Sequence, residues 1–461
     1  METSLQKIRR RLFESIDPAS LGMFRILFGA LMAWQALYYL VKGRYISYYV
    51  KPHFHFTYDF FYFVSPLPEK YLYWVFVVMA CGAIGIMLGL LYRFSVLVFL
   101  FTYTYVFLLD KAFYNNHYYF IILITFLLFF VNAQRWASLD QVIRPKLKAV
   151  PAWNLYILQA QIFLVYFFGG IAKLNPDWIQ GEPMRHWLKN ASHPAWTDAI
   201  FQMSLLPYFF SWGGMLFDLS IGFFLLWRRT RFFAFIVILF FNLTNAFLFN
   251  IGVFPFLMIS AATLFDEVDW PRKLFNRSSP ALPDLKTSQS SQRRVMSFIA
   301  IYFVIQLLIP LRHWLYPGNV SWTEEGHFFS WHMKLRDKKG KLEIFVTNPE
   351  TQEIREVIIR DDLNKFQMSK LTQRPEFIYQ YVQYLKRKAQ EEGIKNPVIR
   401  VNSRVSLNAR PAQYMIDPNV NLAEEELSLF KHSPWIVPLD PQAQPGTRTP
   451  TKDKLKYDKE E

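Results

Sequence analysis

The chain of 461 residues holds a single cysteine, Cys81, inside an apolar segment. No intrachain disulfide and no cysteine-built metal site can therefore form. Charge is scarce as well: 19% of residues are charged, against 52% hydrophobic and 18% aromatic, which excludes a soluble domain of ordinary composition. No Walker loop, no Rossmann glycine fingerprint and no G-x-S-x-G elbow occurs, and nothing resembles H-E-x-x-H. There is no internal repeat. The basic N-terminus METSLQKIRRRLFESIDPAS lacks an adjoining cleavage signal of small residues, so residues 1–20 read as a retained cytoplasmic lead-in.

Apolar runs fill much of the rest. They lie at about Leu21–Val41, Tyr71–Leu91, Phe94–Leu109, His117–Val131, Trp153–Ala172, Leu205–Trp227, Phe232–Phe249, Ile251–Phe265 and Val295–Ile309. Several are shorter than the roughly 20 residues of a straight span. The pairs around Tyr92 and Asn250 are thus either helices joined by tight turns or re-entrant segments, which leaves the count soft by two. A net charge of +15 would by itself suit nucleic acid, but much of the Lys and Arg sits in short loops beside apolar segments, as in a membrane protein, and this sets nucleic acid aside. Placing KIRRR, Arg93, Arg135 to Lys148, RRTR and the linker Arg272 to Arg294 in the cytoplasm sets everything after Pro310 outside.

From Trp322 onward the composition turns polar. KLEIFVTNPETQEIREVII reads as a β-hairpin around an Asn-Pro turn, PEFIYQYVQYLKRKAQEEG as an amphipathic helix closed by Gly393, and PVIRVNSRVSL as a further strand. The expected fold is an all-α polytopic membrane bundle of about nine transmembrane helices over 21–310, then a small β-rich α+β extramembrane domain over 311–440. The last stretch, 441–461, has almost no apolar residues and reads as disordered.

Four constellations carry candidate chemistry. Lys173 closes the run VYFFGGIAK; a lysine near hydrocarbon is costly, so it is either a snorkelling anchor or a working group. Desolvation lowers an ammonium from its usual pKa of about 10.4 and leaves an amine able to accept a proton. Gly169 and Gly170, one turn earlier, favour close approach of a neighbouring helix or ligand. In LLDKAFYNNHYYF, Asp110, Lys111, Asn115, Asn116 and His117 either hold a ligand's oxygens or form an ordinary helix cap. Asn242 and Asn245 share a helix face inside the membrane, near Pro255, which would kink or end a helix. His313, His327, His332, Glu324 and Glu325 gather at the membrane exit, but their spacing is not that of a helical zinc pair, so no metal is expected.

At these positions the sequence resembles the vitamin K-dependent γ-glutamyl carboxylase family, whose membrane region is shared with bacterial HTTM proteins. The stretches that carry the resemblance include DPASLGMFRILFG, GIMLGLLYR, YNNHYY, QIFLVYFFGGIAKLNPDWIQG, WGGMLFDLSIGF, NAFLFNIGVFPFLMIS, WPRKL, EGHFFSWHM and VSLNARPAQYMIDPNV. The resemblance implies an enzyme that couples oxygenation of a reduced quinone to its epoxide with carboxylation of protein glutamate. Lys173, in KLxxDW, would deprotonate the hydroquinone; oxygenation would yield a strongly basic alkoxide that takes the glutamyl γ-hydrogen, and CO2 would trap the carbanion.

By the same resemblance the NNH element, Asn115, Asn116 and His117, lies at the quinone, and His313 assists; the intramembrane amides of Asn242 and Asn245 are added to the quinone site from their shared helix face, unless they simply hydrogen-bond across helices. Trp331, with His332 and Lys334, belongs to the segment that holds the glutamyl substrate. Asn242 stands where many relatives have histidine, and Ala172 where animal enzymes have a second lysine. The implied partners are the lipid bilayer, an isoprenoid quinone (reduced vitamin K or menaquinol), O2, CO2 and an exported glutamate-containing peptide. Two other readings stay open: a quinol epoxidase or carboxylase of a non-protein substrate, and a non-catalytic quinone- or lipid-binding scaffold.

Overall fold

The computed structural model describes residues 3–143, 149–190, 197–249 and 252–446. Among them, helices stand on all nine apolar runs: Ala19–Val41, Glu69–Leu88, Tyr92–Leu108, Asn116–Phe130, Trp153–Ala172, Leu206–Leu226, Arg231–Phe249, Phe254–Ala262 and Gln289–Leu311. The first, second, fifth, sixth and ninth are long and apolar enough to cross a membrane, and the other four fall short of that standard. Among the described residues, helix length and composition thus support five of the about nine spans expected. Their outer faces suit lipid: Phe209, Phe223 and Leu308 are 71%, 54% and 62% exposed, an apolar display that water would penalise.

The chain divides into two compact units. The first comprises Met1–Ile171, Leu216–Leu311 and Phe329–Trp331; the second comprises Ala172–Met215, Arg312–Phe328 and His332–Glu461. In the first unit the pair around Tyr92 is two helices joined by a tight turn. Gly89 and Leu91 take left-handed φ values of +62° and +43°, and the Asp140 carboxylate accepts from the Leu91 and Tyr92 amides at 2.8 Å each. The pair around Asn250 lies outside the described residues. Pro255 opens the helix Phe254–Ala262 at its first turn, where its missing N–H is no loss, so it does not kink or end one as expected. Gly170 abuts Leu219, whose backbone nitrogen would lie 2.7 Å from an added Cβ; the close helix approach read from the glycines is present there.

Arg25 is fully buried in the helix Ala19–Val41. Its guanidinium donates to the carbonyls of Ile86 at 2.6 Å, Met87 at 2.5 Å and Ala137 at 2.5 Å, with longer bonds to Ala133 and Trp136. A helix C-terminus has carbonyls without intrahelical partners, and this cation satisfies those ending Glu69–Leu88 while pinning the 133–137 segment. Gly29 of the same helix lies against the Met87 backbone, leaving no room for a side chain.

In the second unit an antiparallel sheet runs in the order β4-β3-β5-β6, with β3 at Lys338–Thr347, β4 at Ile354–Glu356, β5 at Val398–Leu407 and β6 at Gln413–Tyr414. A two-stranded ladder in the first unit, Ser15–Ile16 with Val150–Pro151, supplies β1 and β2. The expected hairpin is β3–β4 and the expected strand is β5. The amphipathic helix spans Pro375–Glu391, burying Phe377, Ile378, Tyr381, Val382, Leu385 and Ala389. Gly393 follows at φ +92°, a conformation that glycine adopts without a Cβ clash. Within the stretch read as disordered, 441–446 is bonded to the second unit, since Ala443 accepts from Arg410 at 2.8 Å and Gly446 donates to Asn408 at 3.0 Å; 447–461 lies outside the described residues.

Arg25→Ala leaves several buried carbonyls unbonded and is expected to cost at least about 3 kcal/mol. Arg25→Lys, which lacks the planar fork, should recover less than half of that. Thermal unfolding in detergent measures both, and an unchanged Arg25→Ala midpoint would contradict the tie.

Candidate functional site

In the second unit Lys173 follows the last turn of its helix and is 7% exposed, so it does not reach for open solvent as a snorkelling anchor would. Its Nζ lies 5.6 Å from the centre of the Trp178 ring. Asn175 shapes the loop between them, since its Oδ1 accepts from the Trp178 amide at 3.0 Å and its Nδ2 donates to the Ala172 carbonyl at 3.0 Å. The Trp178 indole donates to Ser211 O at 2.7 Å.

Asp177, also buried, accepts from Arg410 Nη1 at 2.6 Å and Nη2 at 2.8 Å, and from Asn408 Nδ2 at 2.7 Å. Bidentate guanidinium–carboxylate bonding fixes direction as well as distance. The loop that carries Lys173 is thereby fastened to the residues that follow β5. Sequence reading missed Asp177, Asn408 and Arg410, although an acid and a base inside two family-like stretches were the available signal.

The same unit gathers three histidines. The rings of His313 and His332 are 4.6 Å apart and those of His327 and His332 are 5.5 Å apart. Burial, with His313 and Arg336 nearby, pushes His332 down to about 3. Burial and Arg336 likewise hold His327 well below its ordinary value. Glu324 carries the local negative charge. Burial raises its carboxyl, but Arg336, Lys338 and Arg374 outweigh that and leave it below the usual range. It pairs with Arg336 and, at 3.0 Å, with Lys338. Glu325 pairs with His432 at 2.7 Å. Lys334 sits 5.8 Å from the Trp187 ring centre, its ammonium depressed by burial. Among the described residues no group of three or more His, Cys, Asp or Glu could hold a metal.

In the first unit the Asn115–His117 element opens the helix Asn116–Phe130. Asn115 is the N-cap residue, is exposed, and turns its amide toward Phe113 O at 3.4 Å. Asn116 is buried, and its Oδ1 accepts from the Tyr114 hydroxyl at 2.8 Å. His117 is half-buried, its ring 5.5 Å from Phe254. Asn242 is buried and donates back to Ile238 O of its own helix at 2.9 Å, whereas Asn245 is half-buried. Asp110 and Lys111 are held locally, Asp110 by the Ala112 amide at 2.8 Å and by His55 at 3.1 Å, Lys111 by Asp59 at 3.1 Å.

Trp331 also belongs to this unit, buried with its ring 5.2 Å from Tyr119. The Phe329 amide donates to the Tyr114 hydroxyl at 2.7 Å. Asn116 and Trp331, far apart in sequence, are thus brought together through Tyr114 and Tyr119. Neither tyrosine was singled out by sequence reasoning.

Residues 13–270 match the family model of the HTTM domain, and residues 291–442 match that of the vitamin K-dependent gamma-carboxylase lumenal domain. The chain belongs to the vitamin K-dependent gamma-carboxylase family. No solved structure matches it. As a carboxylase-like membrane protein it belongs with proteins that use vitamin K hydroquinone, O2 and CO2. Groups that suit a flat ring bearing two oxygens are present in the first unit: Asn116 carries a buried amide, and the next residue, His117, sets its imidazole 5.5 Å from the Phe254 ring.

A histidine kept neutral by burial makes stability pH-dependent. Below its ordinary value of 6.5 the unfolded His332 takes up a proton that the folded one refuses until about pH 3, so stability is complete above 6.5 and lost as pH falls through that window. The unfolding midpoint should drop between pH 7 and 4, less steeply in His332→Gln. Parallel slopes would contradict the assignment.

Proposed function

We propose that the chain is an integral membrane enzyme that couples oxygenation of a reduced quinone, vitamin K hydroquinone or menaquinol, to carboxylation of glutamate in an exported peptide. The observation that carries this reading is the burial of Lys173 in its KLNPDW loop, in a chain whose two parts match the HTTM and gamma-carboxylase lumenal models. When bound and oxygenated, the hydroquinone supplies a base strong enough to remove a glutamyl γ-proton.

The rest falls to this chain's residues. Lys173 Nζ takes a proton from a quinol hydroxyl, and its burial keeps competing water away. Asn116 and His117 bond the ring oxygens, with Asn242 and Asn245 deeper in the helices and Phe254 against the ring. Asn115, exposed and capping, acts through the shape of the turn. Trp331, His332 and Lys334 hold the glutamyl peptide, and His313 assists beside His332. The C-terminal domain, 311–440, lies on the side to which the peptide is exported.

Purified protein given reduced vitamin K, O2, labelled bicarbonate and a glutamyl peptide should form epoxide and fix label. Lys173→Ala should lower both by at least about 100-fold, the usual scale for a lost general base. Epoxide without label would favour an epoxidase, and full activity in Lys173→Ala would reject the assigned base.

A further inference from the structure

The Tyr114 phenol does two jobs with one oxygen. It donates to Asn116 Oδ1 at 2.8 Å and accepts from the Phe329 amide at 2.7 Å, and the residue is 6% exposed. A buried hydroxyl has one proton to give and lone pairs to accept with, so both bonds coexist, and together they set the distance from Asn116 to the Phe329–Trp331 segment. Aromatic contacts fix the same segment from the side: Phe329 meets the Tyr114 ring edge-on at 5.3 Å and Tyr119 at 4.8 Å, and Trp331 lies 5.2 Å from Tyr119. Tyr119 stands three residues beyond Asn116, on the same helix face.

The segment is also strained. Phe329 and Trp331 take φ values of +64° and +58°, where bulky side chains clash with their own backbone. Strain of this kind costs on the order of 1–3 kcal/mol per residue and persists only where the surroundings impose it. Free of its partners, the segment would relax. Tyr114 supplies a polar contact that opposes that relaxation, and it does so from the turn that carries Asn116.

We propose that Tyr114 is a positioning residue that locks the Trp331 segment at a set distance from Asn116. This rests on the assignment of Asn116 to the quinone and of Trp331 to the glutamyl peptide. A strong base formed on one side of the site must meet the glutamyl γ-carbon before water quenches it, and a displacement of about 1 Å is enough to cost on the order of 100-fold in such a transfer. With the lock intact, oxygenation leads to carboxylation; with the segment relaxed, epoxide accumulates without fixed CO2.

Tyr114→Phe removes only the oxygen. In the full chain, with vitamin K hydroquinone, O2, labelled bicarbonate and a glutamyl peptide, the ratio of fixed label to epoxide should fall about tenfold while epoxide turnover stays within about threefold. Phe329→Gly removes the ring that packs on Tyr114 and Tyr119 and frees the backbone at this position; it should uncouple in the same direction and carries the test if Tyr114→Phe does not fold. An unchanged ratio overturns the proposal. So does a parallel loss of label and epoxide in folded protein, which is the mark of a residue that only supports the fold. A wild type that makes no epoxide, or a Lys173→Ala variant as active as wild type, overturns the function itself and not the lock.

Discussion

A carboxylate taken out of water must find a cation and enough donors, or the fold loses several kcal/mol. Asp177 meets that demand with Arg410 and Asn408, and the arrangement of the second unit around Lys173 depends on the pairing. The loop from Lys173 to Trp178 has little regular structure, a single four-residue helical turn at Pro176–Ile179. Its shape comes from outside. Once Arg410 and Asn408 grip the carboxylate and Ser211 receives the Trp178 indole, the lysine has few places left to go.

The same rule repeats elsewhere, each time with a buried charge serving as a knot between distant segments. Arg25 gathers carbonyls from the end of one helix and from the 133–137 segment. Asp17 holds Arg272 at 2.7 Å across most of the membrane part of the chain. Glu324 draws in Arg336 and Lys338 and so anchors the start of β3. In a protein this apolar, polar groups are too few to be spent on the surface of spanning helices, and each one kept inside carries positional information that apolar packing does not.

Much of the framework was legible beforehand because it follows from period and composition. Helices appear on every apolar run, the hairpin turns near Asn348 and Pro349, and Gly393 ends its helix. Where helices start and stop was less legible. Five helices reach spanning length where nine spans were expected, because hydropathy along the chain does not reveal where a helix stops. Pro255 starts a helix instead of ending one, because proline suits a first turn as well as a break.

By itself the sequence determined the class of protein, the places of its helices and strands, and a lysine in an apolar setting, since these depend on neighbours within about one helical turn or one strand. Tertiary structure alone decided that Lys173 is buried, that Asp177 answers Arg410, and that Tyr114 joins Asn116 to the Trp331 segment. Those partners lie tens to hundreds of residues apart, and a pairing energy between such residues exists only once folding has brought them within a few ångströms and removed the water between them.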